Sequence, residues 1–168
     1  MYFMIKPRIL FTFGTLYEPQ IISVMLGHEP ANFLATLKDY AVFKGTKDDL
    51  SEEIKADIRQ KRDLDNFAFL YAKNVDPTLH SQITGKAYYV TAKEEFIIDW
   101  WERYPKWYRK EDVEIQNIKG EKFQAIVYVI DRDGKPLDNF ERVQGDIASY
   151  IQRAKDLRIK VQTIFSGI

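Results

Sequence analysis

The sequence predicts an α+β fold in which a mixed, curled sheet carries flanking helices. Five to seven short stretches rich in aliphatic, aromatic and β-branched residues read as strands. Three or four segments with apolar residues at helical spacing stand among them. The two kinds of element do not alternate strictly, which argues for α+β.

Residues 8–13 open the order. Ile9, Phe11 and Phe13 alternate with Leu10 and Thr12, a strand pattern that stops at Gly14. From Glu18 the residues suit a short helix with Pro19 in its first turn, continued by Ile21, Ile22, Val24, Met25 and Leu26 up to Gly27. A strand that breaks at glycine just before a helix leaves several backbone N–H groups unpaired. Such a nest can hold a carboxylate or phosphate without a basic side chain; the plain alternative is an ordinary strand-to-helix turn. Residues 32–45 read as the next strand, with bulk from Leu37, Tyr40, Val42 and Phe43.

Between residues 46 and 65 the composition shifts to Lys, Asp, Glu and Arg. Leu50, Ile54 and Ile58 recur at intervals of four, which predicts an amphipathic helix with one narrow apolar stripe. Asp49 and Ser51 are both candidate N-caps. This charged face suits solvent, and a partner-binding insertion is the alternative.

Residues 67–72 and 83–90 are further strands, separated by a turn at 74–77; the second carries Gly85 and the pair Tyr88-Tyr89. Thr91-Ala-Lys-Glu94 has the form of a capping box and opens a helix through Phe96, Ile97, Ile98, Trp100 and Trp101 to about Glu102. Pro105 ends it. Residues 107–118 and 123–130 read as two more strands, followed by a turn at 131–134. Asp138 is expected to cap a last helix running to about Leu157, with Phe140, Val143, Ile147, Tyr150 and Ile151 on one face. Residues 161–165 suit a final short strand.

The bulk numbers narrow the functions. In 168 residues, 25 basic and 25 acidic side chains cancel, so no global field draws the protein to nucleic acid or an anionic membrane. The absence of cysteine excludes disulfides and thiolate catalysis. Residues 1–8 lack the apolar core of a signal peptide, and no apolar run approaches the ~20 residues that span a bilayer. A cytoplasmic protein with no membrane contact is expected.

Two stretches together carry a resemblance. Phe11-Thr-Phe-Gly-Thr-Leu16, with Gln20 just beyond, resembles the opening of the γ-glutamylcyclotransferase-like (AIG2-like) proteins, whose first strand ends in a Tyr-Gly-Ser/Thr-Leu type loop. Downstream, Gly85-Lys-Ala-Tyr88 resembles that family's Gly-x-x-Tyr strand, and Ile98-Asp-Trp-Trp-Glu102 its Leu-Asp-x-x-Glu helix end. Tyr108-Arg109 and the strand residues Ala125-Ile-Val-Tyr-Val129 follow in family order. The resemblance implies a small mixed β-barrel with flanking helices, one such domain over residues 1–168, and a charged helical insertion near 46–65. That insertion is expected outside the barrel, remote from the cavity.

The resemblance also implies a reaction. The α-amine of a γ-glutamyl group attacks its own side-chain carbonyl, closing 5-oxoproline and releasing an amine or amino acid. Glu102 falls at the position of the family's catalytic glutamate, where one carboxylate both accepts and returns a proton. Its aromatic neighbours Trp100, Trp101 and Tyr104 would desolvate it and raise its pKa. Phe13, Gly14, Thr15, Leu16, Tyr108 and Tyr128 are the implied substrate-binding residues, with the amides of 14–16 holding the α-carboxylate and no lysine or arginine filling the cavity. A small-molecule γ-glutamyl compound is the implied partner, and no metal or organic cofactor is called for.

Two positions depart from the family pattern. Phe13 lacks the hydroxyl of the usual tyrosine, and the glycine that usually follows the glutamate is absent, leaving Arg-Tyr-Pro-Lys-Trp before Tyr108. Read from composition alone, Glu102 is a solvated glutamate paired with Arg103 or Arg109. Asp99, one turn earlier, is expected to shape the helix end or bond a backbone amide.

Other chemistries find little support. His28 and His80 lack the paired spacing of a zinc site, and no nucleophile elbow, P-loop or dinucleotide fingerprint occurs. Residues 100–110 interleave aromatics with cations as a single-stranded nucleic-acid platform would, a reading the zero net charge disfavours. The stronger alternative is a catalytically inactive family relative that binds a small molecule or peptide.

Overall fold

The computed structural model describes residues 6–60 and 63–166. The start of the stretch weighed above as a leader, residues 1–5, and two positions of the charged segment, 61 and 62, lie outside the described residues. Strands β1 (Arg8–Thr12), β2 (Asn32–Lys38), β3 (Tyr40–Thr46), β4 (Ala68–Asn74), β5 (Gln82–Val90), β6 (Arg109–Asn117) and β7 (Lys122–Val129) form one seven-stranded sheet. Helices α1 (Pro19–Leu26), α2 (Glu52–Arg59), α3 (Ala92–Trp101) and α4 (Ile147–Ser166) stand between or after them.

Strand β1 pairs antiparallel with β5, β5 with β2, β2 with β6, and β6 with β7. A parallel contact between β7 and β1, in register at Leu10 and Ile126, brings the last strand back to the first and closes a five-membered ring. Strand β4 joins β7 in parallel and β3 extends from it. Because successive side chains of a strand face opposite ways, the core divides in two. Phe11, Ala87, Ile115 and Val127 fill one side of the sheet. Leu10, Tyr88, Ile126 and Tyr128 face the helices on the other.

Local chemistry accounts for most of the element ends. Pro19 sits at the start of α1, and Gly27, at φ 87°, ends it in the left-handed conformation that glycine adopts without a Cβ penalty. The Thr91–Glu94 capping box forms as expected. Ser51 caps α2 by accepting from the Ile54 amide, whereas Asp49 closes a capping box with Thr46 on the short turn before it. Leu50, Ile54 and Ile58 are all buried. Gly85 is required by closeness: a Cβ there would lie 2.2 Å from the Thr12 carbonyl oxygen.

Three expectations are corrected. The single strand over 32–45 is two, broken at Asp39 (φ 63°), where the chain turns from the β5–β6 side of the sheet to pair with β4. The last helix begins at Ile147 rather than near Asp138. Residues 137–142 are held out of the helix by tertiary contacts: the Leu137 amide donates to Val42 O at 2.9 Å, Phe140 packs on the core, and Arg142 reaches back to Phe13, just after β1. Asp146 caps instead, accepting from the Ala148 amide and the Ser149 hydroxyl. Finally, residues 161–165 continue α4; buried Val161 falls seven positions after buried Ala154, a helical spacing that outweighs its β-branched side chain.

Candidate active site

β1 delivers its last residues into a cavity lined by Phe13, Gly14, Thr15, Leu16, Glu102, Tyr108 and Tyr128. All seven residues singled out by sequence therefore border one space. Its far wall is apolar, built from Ile58, Phe67, Phe69, Leu70 and Trp107.

The loop after β1 is a single 3₁₀ turn, Thr15–Tyr17, with Gly14 at its N-cap and the Tyr17 amide donating to Gly14 O at 3.0 Å. The amides at the head of such a turn have no partner inside it. Arg142, from the irregular segment before α4, clamps this loop. Its Nη1 donates to Phe13 O at 2.7 Å, its Nη2 to Thr84 O at 3.2 Å, and its guanidinium lies 3.8 Å from the Tyr17 ring centroid. Lys86, buried on β5, donates to Tyr17 O at 3.0 Å from the sheet side. Trp101 Nε1 points to Thr15 Oγ1 at 3.4 Å, linking the loop to the end of α3.

Glu102 is the C-cap of α3, its amide donating to Ile98 O at 2.9 Å. It is half-buried: part of the side chain borders the cavity, while surrounding protein strips bulk water from the carboxyl. That desolvation lifts its pKa from 4.5 to about 7; the charges of Arg153 and Arg103 pull it down and Asp99 pushes it further up. Arg103 follows at φ 51°, left-handed, and the Tyr104 amide returns to Asp99 O at 2.9 Å. A helix terminated this way favours glycine after the cap, so Arg103 occupies the conformation that the family's usual glycine would adopt freely. Arg103 is held by Asp57 of α2, Nε to Oδ2 at 2.7 Å, and its guanidinium lies over Trp107 at 5.7 Å.

The charged segment is thus not remote. Asp57 anchors the residue beside Glu102, and Ile58 stands in the cavity wall. The expectation of a cavity without basic residues is also corrected, since Arg103, Arg142 and Arg153 all border it.

Tyr108 donates its hydroxyl to Leu70 O at 2.7 Å, and burial holds its pKa well above the usual phenol range. Tyr128 donates to Asp99 Oδ1 at 2.5 Å, and burial followed by that hydrogen bond raises its pKa as well. Asp99 therefore bonds a tyrosine and, through both oxygens, Lys110, rather than a backbone amide. Lys110, Arg142 and Arg153 were missed by sequence reasoning. They sit on β6, on the segment after β7 and on α4, and no local motif ties them to either half of the site.

The aromatics of 100–110 do not share one surface. Trp101 and Tyr108 are buried and Trp107 packs edge-on against Phe69 at 4.7 Å, leaving Trp100 and Tyr104 exposed. His28 pairs with Glu94 at 2.6 Å. Among the described residues, no group of three or more histidine, aspartate or glutamate side chains could hold a metal ion, and no helix is long and apolar enough to cross a membrane.

Comparison with known structures places this architecture. The solution structure of At5g39720.1 from Arabidopsis thaliana matches with a TM-score of 0.57 at 19% identity, over 94% of this chain and 89% of that one. The human protein loc79017 matches with a TM-score of 0.61 at 11% identity, over 88% and 99%. An AIG2-like protein from Mus musculus gives 0.55 at 15%, over 81% and 89%. At such identities the likeness shows a common fold, the α+β fold of the γ-glutamylcyclotransferase-like proteins. No curated protein matches the sequence. The family model described as "Gamma-glutamyl cyclotransferase, AIG2-like" matches residues 10–149. The chain belongs to the AIG2-like γ-glutamyl cyclotransferase family.

Proposed function

We propose that the protein is a γ-glutamylcyclotransferase that converts a γ-glutamyl compound into 5-oxoproline and a free amine or amino acid. The observation that carries the reading is a desolvated carboxyl, Glu102, bordering the same cavity as the 14–16 loop. The loop follows β1 and Glu102 ends the helix that follows β5, so the pairing of β1 with β5 supports their meeting in one cavity.

In the reaction the substrate's α-carboxylate lies against the amides of Gly14, Thr15 and Leu16, in the positive field of Arg142. Glu102 takes a proton from the α-ammonium. The freed nitrogen attacks the γ-carbonyl carbon, the C–N bond to the leaving group breaks, and the ring closes. Of the three ammonium protons one stays on the lactam nitrogen and two end on the departing amine, so no water is consumed. A base with a pKa near 7 suits both halves of this transfer. The leaving group lies against the apolar wall of Ile58, Phe67, Phe69 and Trp107, with Tyr108 fixing the side of the cavity.

The test is incubation with a panel of γ-glutamyl amino acids, γ-glutamyl amines and glutathione, with detection of 5-oxoproline. Turnover of at least one is expected. Saturable binding without any 5-oxoproline would overturn the enzyme and leave a binding protein.

A further inference from the structure

Behind the cavity wall at Tyr128 lies a network that the cyclisation scheme does not use. Arg8 pairs with Glu95 at 3.0 Å, Glu95 with Lys110 at 3.0 Å, and Lys110 with Asp99 at 2.7 Å. Asp99 in turn accepts the Tyr128 hydroxyl at 2.5 Å. The charges alternate in sign from the half-exposed Arg8 to the cavity, and the side chains of Glu95, Lys110 and Asp99 are largely buried. Burying three ionised groups is costly unless each is paired. Here each is, and the row ends at the hydroxyl of Tyr128, a residue that lines the cavity.

That ending constrains what the hydroxyl can do. A phenol has one proton and two lone pairs. With its proton committed to Asp99, the Tyr128 oxygen can only accept from the cavity. Lys110 holds both Asp99 oxygens, at 2.7 and 2.9 Å, so the carboxylate is fixed in place. Burial pulls the Lys110 pKa down, but its bonds to Asp99 and Glu95 more than offset this and keep it above its ordinary value. The Glu102 and Asp99 charges both act on the Tyr128 hydroxyl. The cavity therefore has two unlike poles: backbone amides backed by Arg142 at the 14–16 loop, and oxygen acceptors at Glu102 and Tyr128. An α-amino acid head, carboxylate one way and ammonium the other, matches that polarity.

We propose that Asp99, held by Lys110, is a positioning residue that locks the Tyr128 hydroxyl as a hydrogen-bond acceptor for the substrate's α-ammonium. This rests on the γ-glutamyl reading above and adds how the nucleophile is recognised. Tyr128 and Glu102 hold the ammonium between them, so that the proton leaves towards Glu102 with the nitrogen already placed.

The test compares two ligands that differ only in the amine. L-Glutamine carries it; glutaramate, the same γ-amide and α-carboxylate without the amine, does not. Binding is measured by calorimetry in a Glu102→Gln background that suppresses turnover, adding Asp99→Asn, Tyr128→Phe, or both. Each single change is expected to weaken glutamine roughly 10- to 100-fold, the range of a hydrogen bond to a charged group. Glutaramate should bind all four proteins alike. The double variant should lose no more than Tyr128→Phe alone, because the two residues act as one unit. Equal losses for both ligands, or additive losses for glutamine, would overturn the proposal while leaving the γ-glutamyl reading intact. If the parent bound neither ligand while retaining its fold, the γ-glutamyl reading would fail and the proposal with it. Tyr128→Phe removes one oxygen without changing the ring, so the comparison survives even if Asp99→Asn does not fold.

Discussion

A carboxyl titrating near 7 in the folded chain and near 4.5 in the unfolded one binds its proton more tightly when folded. Its contribution to stability is then complete below about pH 4.5 and is lost as pH rises through about 7, a loss of roughly 3 kcal/mol by about pH 8. Glu102→Gln cannot ionise and escapes that loss. Its melting temperature should exceed that of the wild type at about pH 8, with the gap closing towards pH 4.5 in melts across the range. The same residue should control rate with the opposite sign. Wild-type kcat/KM should climb with pH through about 7 as the base is unmasked, and Glu102→Gln should lower turnover by roughly 10²–10⁴-fold. A wild-type profile flat across that region would remove Glu102 as the base. The residue scale is also where sequence was most and least informative. Glu102 and Gly14 were legible through their motifs, because a helix end and a strand end are local events. Asp99 was expected to shape the helix end or bond a backbone amide, and its side-chain partners were not legible because Tyr128 and Lys110 come from two strands distant in sequence.

At the scale of elements, the end of α3 is the most exacting junction. Arg103 is left-handed there, at a cost of roughly 1–2 kcal/mol for a residue with a side chain. Its ion pair with Asp57 and its place over Trp107 offset part of that cost. Arg103→Gly should remove the strain together with the contacts and leave stability within about 1 kcal/mol of wild type. Arg103→Ala keeps the strain and loses the contacts, so chemical denaturation should rank Ala below Gly by about 1 kcal/mol, the reverse of their order inside a helix. Ala equal to or above Gly would mean the left-handed turn carries no cost. Elements bounded by their own chemistry, such as the Thr91–Glu94 box and the Ser51 cap, were readable in advance. The start of α4 was not, because Phe140 and Val143 continue its apolar spacing while the Leu137 amide and Arg142 are engaged by β3 and by the loop after β1. Tertiary hydrogen bonds overrode a valid helical period.

For the molecule as a whole, the family's motifs lie in order along the sequence, so the fold was legible once both halves of the site were seen together. The resemblance implied a closed barrel, but which strands close it, β7 on β1, was not legible, because register between distant strands leaves no local signature. The hydrogen bond from Arg142 to Phe13 spans 129 residues, and it clamps the loop proposed above to hold the substrate's α-carboxylate. A contact between such distant positions carries the largest entropy of closure and adds little until the intervening strands have already brought its ends together. The substrate-competent loop should therefore be among the last features to appear as the chain folds. In refolding from denaturant, protection of the sheet amides should precede recovery of ligand binding, and Arg142→Ala should regain sheet protection at the wild-type rate while recovering little binding. During synthesis the same ordering leaves the early-made 14–16 loop unclamped until Arg142 has emerged.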